Sequence, residues 1–565
     1  MEYCYSVKLL HCGNINLANE NDTAQKNVFY MPMGFFALAS VLKNNGFDVE
    51  ILHSDLIDNE LNLRNVDAVG LDCHWINQSL NVIETAQYIK NRYPNIYIFI
   101  GGYSASLYAT EILKKYPQID AVIRGDGEIP IRELCEALKI AKQCNSKYEL
   151  NDVQNLVWKD INGAIVENPF SYIGTEESFS NLDYASLELL RGWEDYQYFS
   201  TFWTGFLPLS KSPMFLLEIG RGCSYACTFC GGNCEAQYII SNRKGYSVRT
   251  IDSVIETIKK AISYGYETFY TCFEFENSNE YFIKLFNRLT IEGIRINFIY
   301  GSWGLPSKHL LDTMSNTCNE VMLEISPESN SENLRILNKD KRIFYTNKQL
   351  EECLDYVNKK NNIKVQIYFG YYMAGDTMMT IIDTIRYILQ LLLIYSNIVE
   401  IEYSNFSTDP ASLLYLHPKK YNVEMNVNCF EDYLKQIKNK YILKNDLSAD
   451  MRIFKPNNIT DVQNNEIEKM LKLLNYLFVT FKSTVSFILK NTNSIELIMK
   501  IISESNVYPI QGYNFNLDEV KKSILDSCLE DNYFTPELMR ILNSDYINAK
   551  TKKYGTKSVP KISLN

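Results

Sequence analysis

Three cysteines within one short stretch constrain this chain more than any other part of its sequence. Cys223, Cys227 and Cys230 have a C-x3-C-x2-C spacing, and two glycines follow directly. Structural metal sites normally take four protein ligands, so three thiolates around a [4Fe–4S] cluster leave one iron open for substrate chemistry. The spacing therefore predicts that these cysteines are both metal ligands and catalytic residues. Two other interpretations stay open, namely a zinc site completed by Cys234 and a group of buried thiols without a ligand.

The composition narrows the class of protein. The chain has 565 residues, of which 46% are hydrophobic and 22% are charged, as in globular proteins that bury large cores. Its net charge of −11 disfavours nucleic acid and anionic membranes as partners. We find no signal peptide and no apolar run of the roughly 20 residues that span a bilayer. The 14 scattered cysteines fit reduced thiols, and we predict a cytoplasmic location.

Short apolar strands alternate with helices over residues 1–145. This pattern predicts an α/β fold with a doubly wound, Rossmann-like parallel sheet, which binds ligands beyond the carboxyl ends of its strands. Strands are expected at 7–10, 49–52, 68–71, 96–100 and 121–123, and helices at 33–45 and 80–92. Glycines that follow the last two strands would let the backbone approach a large ligand, although ordinary tight turns would also use them. The residues concerned are Gly101, Gly102, Tyr103 and Ser104 after the fourth strand and Gly125, Gly127 and Glu128 after the fifth.

A second domain is predicted beyond a connector. Residues 146–212 form the connector and contain a β-hairpin that turns at Asn162-Gly163. Residues 213–425 predict a partial (β/α)6 barrel, whose chemistry should lie on the loops at the carboxyl ends of its strands. The six strands are expected at 215–219, 267–273, 295–300, 320–326, 364–370 and 398–404. Residues 426–565 predict a helical region, with amphipathic helices at 430–441, 465–489 and 517–529.

Polar residues follow several of the barrel strands. Glu274 and Glu276 come after the second strand and could accept charge-assisted hydrogen bonds from an ammonium group, although a solvated acidic turn is the alternative. Ser326 and Glu328 end the fourth strand, and Asp409 follows the sixth. Their order on successive strand ends carries more weight than any one of them.

The order of all these features resembles the cobalamin-dependent radical S-adenosylmethionine (SAM) enzymes. In that family a doubly wound cobalamin-binding domain precedes the C-x3-C-x2-C loop, and the helical region caps the barrel. The context favours the cluster over zinc. The resemblance implies SAM contacts by Phe229, Glu274, Glu276, Ser326 and Glu328, and cobalamin contacts by His74, Trp75, Gly101, Gly102, Tyr103, Ser104, Gly125, Gly127 and Glu128.

One departure from related cobalamin proteins concerns the lower ligand of cobalt. Domains of the methionine synthase type carry D-x-H-x-x-G after the first strand, and this chain has no such motif after His11. Asp72-Cys73-His74 is similar but follows the third strand. Either His74 binds cobalt, or His74 and Trp75 line the pocket and the cobalt has no histidine below it.

The resemblance also implies a reaction of the class B methyltransferase type. A 5′-deoxyadenosyl radical made from SAM would abstract hydrogen from an unactivated carbon, and methylcobalamin would then methylate carbon or phosphorus of a small-molecule or peptide substrate. The expected partner is a one-electron reductant such as flavodoxin or ferredoxin. Two alternatives are a rearrangement, cyclisation or oxidation with the same cofactors, and a non-catalytic cobalamin or redox sensor.

Overall fold

The chain divides into two compact units that do not follow the order of the sequence. A computed structural model describes residues 4–13, 31–54, 63–197, 212–406, 408–442, 453–492, 495–511, 514–531, 533–551 and 561–562. The first unit comprises Met1–Asn297, Thr408–Leu416 and Asn426–Lys444, and the second comprises Phe298–Ser407, His417–Met425 and Asn445–Asn565. The predicted domain boundaries at 145, 212 and 425 stay predictions. The end of the predicted connector, 198–211, lies outside the described residues.

The first unit opens with a seven-stranded sheet of order β2-β1-β3-β4-β5-β6-β7. Strands β1 to β5 are parallel, and the β6–β7 hairpin adds two antiparallel strands at one edge. Strand β3, the middle one of the five parallel strands, is buried on both faces, which explains why residues 68–71 carry no polar side chain. The elements are β1 (Ser6–His11), α1 (Met33–Asn44), β2 (Asp48–His53), β3 (Ala68–Asp72), α2 (Ser79–Arg92), β4 (Tyr97–Gly101), α3 (Tyr103–Leu107), α4 (Ala109–Lys115), β5 (Ala121–Ile123), α5 (Glu128–Gln143), β6 (Leu156–Lys159), β7 (Ile165–Glu167) and α6 (Glu176–Ser180).

The next elements carry the cysteine loop. One strand was expected at 215–219 with the cysteines after it, and this is wrong, because the first strand ends at Leu216 and Cys223 ends a separate short strand. That short strand, β9, pairs antiparallel with β10, whereas β8 pairs parallel with β11. The elements are β8 (Met214–Leu216), β9 (Gly220–Cys223), α7 (Cys234–Ser241), β10 (Gly245–Val248), α8 (Ile251–Ser263), β11 (Thr268–Thr271) and α9 (Ser278–Ile291).

The second unit is built on four parallel strands with helices between them. Strands β12 to β15 pair in chain order, and β20 adds an antiparallel edge to β15. The elements up to residue 425 are β12 (Asn297–Ser302), α10 (Lys308–Thr317), β13 (Val321–Glu328), α11 (Glu332–Asn338), α12 (Asn347–Val357), β14 (Ile363–Tyr371), α13 (Met378–Ile394), β15 (Ile398–Asn405), α14 (Leu413–Leu416) and β16 (Val423–Met425), of which α14 belongs to the first unit.

The remaining residues are mainly helical, as predicted. The single helix expected at 465–489 is wrong, because it is divided at Phe481, where the buried Asp545 accepts hydrogen bonds from the backbone and hydroxyl of Thr484 at 2.8 and 2.9 Å. These elements are α15 (Phe430–Ile442), β17 (Phe454–Pro456), α16 (Asp461–Thr480), α17 (Lys482–Thr492), α18 (Ile495–Glu504), β18 (Pro509–Gln511), β19 (Asn514–Phe515), α19 (Leu517–Glu530), α20 (Pro536–Thr551) and β20 (Lys561–Ile562). None of the described helices is both long and apolar enough to cross a membrane.

Helix α15 belongs to the first unit, although it lies some three hundred residues after the sheet it contacts. The backbone N–H of Phe430 donates to Glu111 at 2.9 Å, and the Tyr116 hydroxyl donates to Glu431. The Phe430 ring also packs against the rings of Tyr108 and Tyr116. The doubly wound sheet is therefore completed by a distant segment of the chain.

Candidate functional site

The three cysteines lie on one loop that is fixed at both ends. Cys223 ends β9, and Asn233 caps α7 by accepting hydrogen bonds from the backbone of its first turn. At Gly222, φ is +91°, and a Cβ there would lie 2.4 Å from the carbonyl oxygen of Gly245. Glycine is therefore required where the strand turns into the loop.

The thiols receive hydrogen bonds from the backbone of the same loop. The N–H of Tyr225 donates to Sγ of Cys223 at 3.4 Å, and the N–H of Gly232 donates to Sγ of Cys230 at 3.3 Å. Such bonds tune cluster thiolates. Burial, followed by the charge of Asp409 and the neighbouring thiols, raises the pKa of Cys230, so iron must displace its proton on binding.

The segment after the sixth predicted strand holds the cysteine loop in place. The N–H of Gly231 donates to the Asp409 carboxylate at 3.1 Å, and the N–H of Leu414 donates to the carbonyl of Thr228 at 2.9 Å. A Cβ on Gly231 would lie 2.5 Å from the Cβ of Asp409. This close approach explains why the first residue after the cysteines is glycine.

Tyr103, the first residue of α3 beside the doubly wound sheet, is linked to the cysteine loop through Gln237. The amide nitrogen of Gln237, on α7, donates to the Tyr103 hydroxyl and, at 3.3 Å, to the carbonyl of Gly232. Burial raises the pKa of Tyr103, and the nearby thiols of Cys230 and Cys223 contribute to the rise. The predicted cobalamin residue Tyr103 is therefore next to the predicted cluster ligands.

His74 and Trp75 lie beside Tyr103 at the carboxyl edge of the sheet. The His74 ring centroid is 5.1 Å from that of Tyr103 and 4.7 Å from that of Trp75. Burial lowers the pKa of His74 to about 4, with Asp72 opposing and Arg221 adding to the shift, so the imidazole is neutral at neutral pH. Trp75 is 56% exposed, which leaves an uncovered aromatic surface at the edge where such sheets bind ligands.

A buried ionic network joins the loop after β5 to the strand of the cysteine loop, and sequence reasoning missed it. Nη1 of Arg221 lies 3.1 Å from Asp126 and 2.6 Å from Glu128, and the Arg243 guanidinium also pairs with Asp126. Both guanidinium groups lie over the ring of Phe179. The signal in the sequence was the acidic pair in Gly125–Glu128 together with the arginine two residues before Cys223.

At two of the four glycines predicted to contact cobalamin, close packing against other parts of the chain already requires a glycine. At Gly102, φ is +107°, and a Cβ would lie 2.8 Å from the backbone of Cys73 and His74. At Gly125, φ is +63°, and a Cβ would meet Phe170 and the backbone of Ser241. By contrast, a Cβ on Gly101 or Gly127 would meet nothing closer than 3.4 Å. The contacts of all four glycines with cobalamin stay predictions.

The predicted SAM residues of the first unit differ in burial. Glu274, after β11, is buried, whereas Glu276 is exposed. Phe229 is partly buried, and its carbonyl accepts a hydrogen bond from the backbone of Asp409 at 3.4 Å. Glu274 is therefore the better placed of the two acids for a ligand that is shielded from water.

Ser326 and Glu328 lie at the end of β13 in the second unit, where Lys339 joins them. Nζ of Lys339 donates to the Ser326 carbonyl and lies 3.8 Å from the Glu328 carboxylate. Burial raises the pKa of Glu328 to about 7, although the charge of Lys339 opposes this. At Glu328 φ is +70°, a strained conformation for a non-glycine residue that is frequent at functional sites.

The residues present fit the expected groups. Three thiols on one loop with N–H donors toward sulfur suit an iron–sulfur cluster, and the uncovered aromatic edge suits a large planar ligand. Within the described ranges, no group of three His, Cys, Asp or Glu side chains could hold a metal ion. Thiolates of a cluster each bind a different iron, so they stand further apart than the ligands of one ion.

Comparisons with known protein families give a match to the doubly wound domain and another to the domain that contains the cysteine loop. The B12 binding domain model matches residues 26–135, and the Radical SAM superfamily model matches residues 217–388. These matches confirm the predicted cofactors, which are cobalamin, SAM and a [4Fe–4S] cluster. They also confirm the α/β fold class with a Rossmann-like domain ahead of the radical SAM domain.

Individual proteins resemble the chain at low sequence identity and over only part of their length. The chain is 26% identical over 215 residues to the anaerobic magnesium-protoporphyrin IX monomethyl ester cyclase of Synechocystis, covering 35% of this chain and 38% of that protein. It is 28% identical over 207 residues to the hopanoid C-3 methylase of Methylococcus capsulatus, covering 35% of each. The chain thus matches little more than a third of the length of these relatives.

A solved structure covers more of the chain. The radical SAM methyltransferase TsrM from Kitasatospora setae, with cobalamin and [4Fe–4S] cluster bound, has a TM-score of 0.57 at 12% identity. The match covers 80% of this chain and 87% of that one, and it shows the fold alone. The chain thus contains a region that matches the B12 binding domain, followed by a region, including the cysteine loop, that matches the Radical SAM superfamily.

Proposed function

We propose that the protein is a cobalamin-dependent radical SAM methyltransferase that acts on a small-molecule or peptide substrate. When bound, the cluster and SAM supply a 5′-deoxyadenosyl radical, and cobalamin supplies a carrier for a methyl group. The observation that carries the proposal is the contact between Tyr103 and Gln237, which brings the ligand edge of the doubly wound sheet next to the cysteine loop. Methyl transfer needs these two sites to lie close together.

The chain's own residues bind and orient these groups in the proposal. Cys223, Cys227 and Cys230 hold three irons, and Asp409 fixes their loop through Gly231. Glu274, being buried, accepts hydrogen bonds from the SAM ammonium in preference to the exposed Glu276. An external one-electron reductant such as flavodoxin or ferredoxin reduces the cluster.

The relatives support methyl transfer and also suggest a second candidate. A hopanoid methylase and the TsrM methyltransferase both resemble the chain, and TsrM has been solved with tryptophan as its substrate. The cyclase that matches a similar share of the chain favours a non-methylating reaction with the same cofactors. The two functions differ in where the methyl group of SAM goes.

The test uses the full-length protein, reconstituted without oxygen with iron, sulfide and cobalamin and reduced chemically. SAM with a deuterated methyl group is added, and 5′-deoxyadenosine and labelled cobalamin are measured by mass spectrometry. We expect both products from the wild type, and neither from Cys223→Ala, Cys227→Ala or Cys230→Ala. Cys234→Ala, four residues beyond Cys230, is the matched control and should retain both.

Each other outcome has a distinct meaning. If 5′-deoxyadenosine forms while the cobalamin stays unlabelled, methyl transfer is contradicted and the cyclase-like reaction is favoured. If the wild type makes no 5′-deoxyadenosine, the protein is not a radical SAM catalyst, and a sensor role is favoured instead.

A further inference from the structure

The loop after β5 contacts both arms of the two-stranded ribbon that ends at the first cysteine. Strands β9 and β10 form this ribbon and pair antiparallel, with Gly245 opposite Cys223. One carboxylate oxygen of Asp126 lies 3.1 Å from the Arg221 guanidinium on β9, and the other pairs with Arg243, two residues before β10. A single carboxylate of the doubly wound domain therefore holds a side chain from each arm.

Asp126 and Arg243 are held in place by further partners. Asp126 accepts a hydrogen bond from the N–H of Gly174 at 2.8 Å, and Arg243 donates to the Ser247 hydroxyl on β10 at 2.9 Å. The Arg243 side chain also packs closely on Gly222, where an added Cβ would lie 2.5 Å from its Cδ. A movement of Asp126 would therefore reach the residue that directly precedes the first cysteine.

Burial makes the charges of this network depend on one another. The side chains of Asp126 and Glu128 are 7% and 4% exposed, and that of Arg243 is 4% exposed. Breaking a buried ion pair leaves an uncompensated charge, which costs far more than it would at the surface. The two carboxylates and their two guanidinium groups are therefore expected to move together.

The same network retains hydrogen-bonding capacity at the edge where the sheet is expected to bind its ligand. Arg221 lies 2.6 Å from Oε1 of Glu128 as an ion pair, yet in the described part of the chain no hydrogen bond of suitable geometry reaches either oxygen of Glu128. Buried carboxylates normally accept hydrogen bonds. A ligand that binds beside this loop and donates to Glu128 would therefore act on the Arg221 pair as well.

We propose that Asp126 is a positioning residue that couples the two cofactor sites. When cobalamin binds beside the loop after β5, Asp126 holds the β9–β10 ribbon, and with it Cys223, in the arrangement that binds the cluster. The inference rests on the cofactor binding of the proposed function and does not depend on methyl transfer. Because coupling between two sites is reciprocal, a bound cluster must in turn strengthen cobalamin binding.

The experiment measures the dissociation constant of hydroxocobalamin for the full-length protein, once with the cluster reconstituted and once with the iron removed. We expect the wild type to bind about tenfold more tightly with the cluster. In Asp126→Asn the ratio of the two constants should fall below about twofold, and Arg243→Lys, which keeps the charge but loses the planar fork, should also lower it. Asp152→Asn, which alters an exposed aspartate of the same unit, is the matched control and should keep the ratio.

The ratio separates coupling from a purely structural role. A variant that only destabilises the protein would weaken cobalamin binding in both forms and leave the ratio unchanged. Equal wild-type affinities with and without the cluster would overturn the proposal, and so would a wild-type ratio in Asp126→Asn and Arg243→Lys. The wild-type comparison needs no variant, so misfolding of Asp126→Asn would not prevent a decision. The methyl-transfer test measures deuterium on cobalamin, so its failure is distinguishable from a failure here.

Discussion

The guanidinium of Arg221 lies 2.6 Å from the carboxylate of Glu128, which ties the strand before the first cysteine to the start of helix α5. Both side chains are largely withdrawn from water, and Asp126 supplies a second carboxylate to the same arginine. Glu128 was predicted to contact cobalamin. Its ion pair with Arg221 shows that it also links two segments of the chain. The pair joins the doubly wound sheet, where cobalamin is predicted to bind, to the loop of the predicted cluster ligands.

Glu128→Gln should destabilise the protein by roughly 2 kcal/mol, because a buried guanidinium loses one of its two carboxylates. Glu136→Gln, on the same helix, removes an exposed carboxylate that lies 3.7 Å from Arg132 and should cost less than about 0.5 kcal/mol. Urea unfolding of the two variants measures the difference. Equal effects would show that the Arg221 pair contributes no more than a surface pair.

Gly231→Ala should lose most of its iron, because the added Cβ would lie 2.5 Å from Cβ of Asp409 and 2.8 Å from the carbonyl of Pro410. The loop would have to move away from the segment that holds it. Gly232→Ala is the matched control, since its Cβ would approach nothing closer than 3.6 Å. Iron and sulfide per chain after reconstitution without oxygen provide the measurement. Retention of a full cluster by Gly231→Ala would rule out this constraint.

Gly102→Ala should bind cobalamin much more weakly than the wild type. Its positive φ and the contact at 2.8 Å with the backbone of Cys73 and His74 would displace the loop after β3. At Gly34, in α1, where an added Cβ would meet nothing within 4 Å, alanine should be tolerated. Cobalamin retained per chain after gel filtration compares the two, and similar retention by both variants would contradict the packing argument.

Glu328 should make stability depend on pH. Burial raises its folded pKa to about 7 from a reference of 4.5, so the folded protein holds a proton that the unfolded chain releases. This contribution is complete below the unfolded pKa and is lost as the pH rises through 7. Glu328→Gln mimics the protonated form. Relative to this variant, the free energy of unfolding of the wild type should therefore fall by on the order of 2 to 3 kcal/mol between pH 5 and pH 8.

Denaturant unfolding at several pH values tests this dependence. The exposed Glu352→Gln variant in the same unit, whose side chain is 62% accessible, should follow the wild type throughout. A wild-type stability that stays constant relative to Glu328→Gln, or rises with pH, would mean that Glu328 is ionised when folded.

The parallel strands and the cysteine loop could be predicted because each depends on a local pattern. Residues 68–71 of strand β3 form an unbroken run without a polar side chain, and Ala121–Ile123 was predicted to the residue for the same reason. The antiparallel pairing of β9 with β10 could not be predicted, because its register depends on glycines that admit close backbone contacts. No periodicity in the sequence marks such contacts.

The candidate site was predicted by residue type and order, but not by its pairings. Arg221 and Arg243 escaped notice because their partners Asp126 and Glu128 are about a hundred residues away in the sequence. Gln237 was missed for a similar reason, since its link to Tyr103 depends on how α7 meets the sheet. Pairings between distant segments require the tertiary structure.

The position of helix α15 has a consequence for how the protein is made. Its hydrogen bonds to Glu111 and Tyr116 join residues more than three hundred positions apart, so the ribosome must have released most of the chain before they can form. Contacts of such long sequence separation are slow to form and leave apolar surface exposed during synthesis. Until then, the rings of Tyr108 and Tyr116 that later pack against Phe430 remain uncovered. We therefore expect the nascent first unit to depend on chaperones, and cobalamin to be acquired after translation.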